Sequence, residues 1–125
     1  MPTQTVQLRR FCMARSGDKG DAVDISLFAP DEATFRVLRE AVTAERVNAF
    51  FADMAKGPTR RYELPNLNAL KFVVQGALGG GAAGSLRSDN LGKAYGANLL
   101  HMTVEMPEEL LAQCPDMRHP DSRGA

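Results

Sequence analysis

The sequence predicts one α+β domain built as a two-layer sandwich, with helices on one face of a mostly antiparallel sheet. Three observations carry this expectation. Short segments alternate apolar and polar residues with period 2, as half-buried strands do. Other segments repeat apolar residues at i, i+3, i+4 and i+7, as amphipathic helices do. The two kinds are interleaved within 125 residues, the length of a single ordinary domain.

The first strand is expected over Thr5 to Ala14 (TVQLRRFCMA), where β-formers alternate except at Arg9-Arg10. That break implies either a bulge or a solvated face. Arg15 to Asp21 (RSGDKGD) holds two glycines and four charges and reads as a loop. Ala22 to Ala29 (AVDISLFA) alternates cleanly, with Val23, Ile25 and Leu27 on one face and Asp24 and Ser26 on the other. The two strands and the loop make an elaborated hairpin. Asp31 follows Pro30 as an N-cap, Glu32 sits in the first turn, and Phe35, Leu38 and Val42 form a helical stripe.

A second helical pattern runs from about Ala44 to Lys56, with Val47, Phe50, Phe51 and Met54 in register, and Gly57-Pro58 stops it. Arg60 to Leu64 reads as a strand closed by Pro65-Asn66. Leu67 to Leu78 fits both periods, and the spacing of Leu67, Leu70, Val74 and Leu78 tips the reading to a helix. Another helix is expected from about Gly92 to Leu100, capped by Asp89 or Asn90, and a short strand from Met102 to Glu105. Pro107 ends that strand and adds one helical turn to Leu111. The domain is drawn over residues 1–112, and residues 113–125 read as a polar tail, either loose or an arm that orders only against a partner, since they are proline-punctuated and lack periodicity.

Composition narrows the function. Hydrophobic residues make up 44% and charged residues 24%, which excludes disordered and fibrous chains. Fifteen basic residues offset fifteen acidic ones, so the basic excess of a nucleic-acid binder is missing. No apolar run reaches the ~20 residues of a membrane span, and the first ten residues hold no apolar signal core, so the expectation is a cytoplasmic protein. Cys12 and Cys114 have neither CxxC spacing nor a nearby histidine pair, which speaks against zinc and for buried, reduced thiols. His101, placed where helix turns to strand, reads as a half-buried structural histidine. Asn66 and Asn68 read as turn formers, Tyr95 as either core or site, and Arg9, Arg10, Arg60 and Arg61 as solvated strand residues.

Two polar glycine segments could bind a ligand. In the first, Ser16, Gly17, Lys19 and Gly20 can present backbone N–H groups and a positive charge, beside the carboxylate of Asp18. In the second, Gly79, Gly80 and Gly81 supply N–H donors, Ser85 a hydroxyl, Arg87 and Lys93 cations and Asp89 a carboxylate. A glycine run leading to a helix N-terminus is a physically sound cradle for an anion. Neither segment is a Walker A loop or a dinucleotide fingerprint. A charged hairpin loop and a subunit-interface loop remain open as the plainer readings.

The strings ARSGDKGDAVDISLFA (Ala14 to Ala29) and RYELPNLNALKFVVQGALGGGAAGSLRSDNLGKAYGANLL (Arg61 to Leu100) resemble the small C-terminal domain of the acyclic terpene utilization protein AtuA family. Four motifs carry the resemblance: ARSGDKGD, YELPNL, ALGGG and SLRSDNLGK. It implies a ferredoxin-like α+β fold, and a domain that also occurs as a stand-alone chain beside a larger partner. It further implies a place in the catabolism of acyclic terpenes and related branched acids through CoA thioesters.

Together these give an expected accessory subunit or small domain of an AtuA-type assembly, non-catalytic or dependent on its partner. It would need no cofactor or metal, would bind an anionic ligand such as a CoA thioester or would bind the large chain, and could form a homo-oligomer. Asp18 and Asp89 are the candidates for proton transfer. The alternatives are a pure assembly module and an independent hydratase or isomerase acting on CoA thioesters.

Overall fold

The computed structural model describes residues 2–20, 22–52, 57–76 and 95–117. A first strand, β1 (Thr3–Gln7), is followed by a 3-10 turn over Leu8–Arg10 and by β2 (Met13–Lys19) and β3 (Ala22–Phe28). Helices α1 (Glu32–Ala41) and α2 (Ala44–Phe50) precede β4 (Thr59–Leu64), a second 3-10 turn (Pro65–Leu67) and β5 (Ala69–Val74). Residues 95–99 form α3, and the described chain closes with β6 (Thr103–Pro107) and α4 (Glu108–Gln113).

The sheet is not one piece. Four strands pair antiparallel in the order β2-β3-β5-β4, and β1 pairs antiparallel with β6 in a separate two-stranded sheet. The break expected at Arg9-Arg10 is therefore neither a bulge nor a solvated face. The chain turns there and passes from one sheet to the other, and the N–H groups of Leu8 and Arg9 bond the carbonyls of Met102 and Leu100 at 2.8 and 2.9 Å.

Of the segment read as a helix over Leu67 to Leu78, Ala69–Val74 form the central strand β5. Leu70, Phe72 and Val74 are all fully buried, while Lys71 and Val73 between them are only half-buried. That is period 2, and the helical reading failed because Leu70 and Val74 are spaced to satisfy both periods. Asn68, at φ 50°, makes the left-handed corner that turns the chain from β4 into β5, as its reading as a turn former requires.

The loop read over Arg15 to Asp21 is mostly strand. β2 and β3 stay in register from the Met13–Phe28 pair to the Lys19–Ala22 pair. Only Gly20, at φ 63°, carries a positive φ in the described part of the turn. Gly17 is an ordinary strand residue opposite Asp24, where an added Cβ would be 3.7 Å from Asp24 Oδ1, so neither space nor conformation demands a glycine there.

The starts of α1 and α2 have a chemical cause. The Asp31 carboxylate accepts from the Thr34 N–H at 2.7 Å, and the Thr43 hydroxyl accepts from Arg46 N–H at 3.1 Å, which satisfies donors that the first turns leave unpaired. Phe35, Leu38, Val47, Phe51, Tyr95 and Leu99 from the helices share one core with Val23, Ile25, Leu27, Leu70, Phe72 and Val74 from the sheet. The expected helical layer on one sheet face is what this core requires.

The described part of the segment expected to be a loose tail is packed on the domain. Cys114 is buried, Met117 N–H donates to Arg10 C=O at 2.9 Å, and the Arg10 guanidinium bonds Pro115 C=O at 3.0 Å. Apolar Cys114 and Leu111 draw this end against the body, an influence that polar neighbours hide from a periodicity reading. Because Phe72 is fully buried in the core, Phe72→Ala is expected to cost ~3–5 kcal/mol, measured as a lowered urea midpoint with an unchanged m-value.

Candidate functional site

The first motif and the helix beyond the second glycine segment meet through a hydrogen bond. Ser16, in the middle of β2 opposite Ile25, points its hydroxyl at α3, where the Gly96 N–H donates to Ser16 Oγ at 2.8 Å. A Cβ on Gly96 would stand 2.7 Å from that oxygen and 3.2 Å from Ser16 Cβ. Real Cβ atoms do not approach so closely, so the hydrogen bond depends on glycine at 96. Ser16 is thus a structural acceptor on the core side of the hairpin.

Beside it, Tyr95 resolves to core. Its ring is fully buried against Phe51, with ring centroids 4.7 Å apart and planes tilted by 48°. Burial pushes the Tyr95 phenol above its ordinary value of 10.0, because the phenolate would lose its hydration there.

Of the other expected site residues, Gly17 and Gly20 lie in the hairpin as described above, and Asp18 and Lys19 are paired in register with Val23 and Ala22. Gly79, Gly80, Gly81, Ser85, Arg87, Asp89 and Lys93 lie outside the described residues. The link reaches the vicinity of that segment in sequence, since Gly96 is three positions after Lys93. Gly96 was missed by sequence reasoning. Its only signal was a glycine inside a helical pattern, which is costly unless a neighbour must come close.

The opposite face of the four-stranded sheet is polar and accessible. Asp24 and Lys71 pair across β3 and β5 at 3.6 Å, and exposed Arg15, Arg60 and Tyr62 flank them on the edge strands, with Met13 at one corner. Arg9 and Arg60 are exposed as expected. Arg61 and Arg10 are not solvated strand residues. The Arg61 guanidinium donates to the carbonyls of Arg39 and Val42 at 2.6 and 2.9 Å, where α1 leaves acceptors unpaired, and Arg10 holds the C-terminal segment. His101 is exposed where a half-buried histidine was expected, because the turn after α3 carries it away from the core.

A groove of about 790 Å³ runs between α1 and the two-stranded sheet, lined among others by Thr5, Val37, Ala41 and Glu105. None of the expected site residues that are described lines it. Among the described residues no group of three or more His, Cys, Asp or Glu side chains could hold a metal ion. Among them, too, no helix is long and apolar enough to cross a membrane.

This arrangement is a ferredoxin-like α+β domain. The family model for the AtuA ferredoxin-like domain matches residues 6–105, and the chain belongs to that family. Comparison with curated proteins and with solved structures gave no match.

The burial of Tyr95 sets an alkaline limit on stability. The unfolded chain begins to lose its phenol proton near pH 10.0, while folded Tyr95 retains it, so stability is full below that pH and falls as the pH rises past it. In urea titrations between pH 9 and 11, Tyr95→Phe should show a shallower loss than the parent. Equal slopes would mean that the phenol is not desolvated.

Proposed function

We propose that the chain is an accessory subunit or small domain of an AtuA-type assembly in the catabolism of acyclic terpenes or related branched acyl-CoA metabolites. Its working region is the β2–β3 hairpin together with residues 79–93, which receive an anionic ligand, a CoA thioester or carboxylate, or the large partner chain. Lys19, Arg87 and Lys93 supply the charge, and the N–H groups of Gly79, Gly80 and Gly81 hold oxyanions. The observation that carries this reading is the Ser16–Gly96 contact, which fastens the hairpin to the helix entered from that segment. Asp18 and Asp89 are the groups for proton transfer if the assembled complex turns over a substrate.

A second reading, an assembly module without ligand, draws support from the sheet face that exposes Arg15, Arg60, Tyr62 and Met13, since accessible aromatic, Met and Arg side chains suit protein interfaces.

Isothermal titration with an acyl-CoA ester, for the chain alone and with its large partner, separates the two. Saturable binding that falls at least ~10-fold in Lys19→Ala or Arg87→Ala supports the ligand reading. No heat in either state, with an oligomer or hetero-complex by light scattering that the same substitutions dissolve, supports the assembly module.

A further inference from the structure

The chain's two cysteines lie near its opposite ends in sequence, yet both sit in the same apolar core, 2% and 6% exposed. Cys12 follows the 3-10 turn that joins the two sheets, and its N–H donates to Leu8 C=O at 2.8 Å. Cys114 ends α4, where its Sγ is 3.4 Å from both Thr34 Oγ1 and Leu110 C=O. The backbone on either side is laced together. Arg10, two residues before Cys12, accepts from Met117 N–H at 2.9 Å and reaches Pro115 C=O and the Asp116 carboxylate at 3.0 and 3.6 Å. Arg10 is therefore tied to residues 115–117, and each cysteine lies within three residues of that junction, buried in the same core.

We propose that Cys12 and Cys114 are a redox pair that, when joined, staples α4 and the C-terminal segment to the joint between the two sheets. This goes beyond the proposed function and does not depend on it. The oxidant is a small disulfide such as oxidised glutathione. One cysteine thiolate attacks it and releases a glutathione thiolate. The second cysteine thiolate then attacks the mixed disulfide and releases the other. Two electrons pass to the oxidant, the two cysteine protons go to solvent or to the released thiolates, and one S–S bond closes the chain.

Burial keeps the open pair stable. It raises both thiols above their ordinary range, and for Cys12 the neighbouring Cys114 adds to the rise. Thiolate is then scarce while the core is closed, so exchange proceeds through partial opening of this end. The helix that must lift is short: α4 has six residues, of which Leu111 alone is fully inside. Reduced chain is expected in a reducing compartment, and the staple forms where small disulfides accumulate.

The test uses the full parent chain, incubated with oxidised glutathione in buffer and in mild urea, then quenched by alkylation. The expected product is a monomer that has lost two hydrogens, with the Cys12 and Cys114 peptides linked under non-reducing digestion. Its thermal midpoint should rise by ~5 °C or more, because the bond closes a long loop, and should return on reduction. Two alkylatable thiols after exposure in mild urea, glutathione left on either cysteine, bonding between chains, or an unchanged or lowered midpoint would each overturn the staple.

Discussion

At 2.8 Å, the hydrogen bond from Gly96 N–H to Ser16 Oγ brings the serine side chain closer to Gly96 than a Cβ at 96 would allow. The contact joins residues eighty positions apart. It fixes β2, an edge strand held on one side by β3, against α3 on the core side of the sheet. An edge strand has half its backbone groups unpaired by its sheet, so a second tether of this kind sets where it lies. From that follows the placement of Tyr95, whose ring is then pressed on Phe51 of the helical layer.

The hairpin divides its labour by face. Ser16 turns inward and serves the fold, while Arg15 is exposed on the other face, in register with Ser26 and, across β3, with Lys71. A motif that looks uniformly polar in sequence thus carries a structural residue, Ser16, in its middle.

Much of the architecture was legible in the sequence. The Val23-Ile25-Leu27 alternation, the Asp31 cap and the Phe35-Leu38 stripe each state a local rule that the tertiary structure has no reason to override, and each is found as read. Central strand β5 was misread because apolar residues on both of its faces blur the difference between a period of 2 and one of 3.6. The extent of β2 was misread because charge and glycine suggest a loop, whereas an edge strand tolerates both. Arg61 and Arg10 could not have been placed, since what they bond is the carbonyl oxygen of a distant helix end or segment, and backbone carbonyls leave no mark in sequence. For the site, the family was legible in its motifs, but the role of Ser16 was not, because it is defined by an amide far along the chain; the second glycine segment lies outside the described residues.

The central claim is that Ser16 and Gly96 form one interaction on which the hairpin's position depends, and a double-mutant cycle tests it most directly. Urea unfolding of Ser16→Gly, Gly96→Ala and the double variant measures the coupling. Gly96→Ala is expected to cost ~1–3 kcal/mol in the parent, through the forced approach of its Cβ to Ser16. In the Ser16→Gly background, where both the hydroxyl and the Cβ are gone, it should cost at least ~1 kcal/mol less. Strictly additive costs would mean that the two residues act independently and would contradict the account.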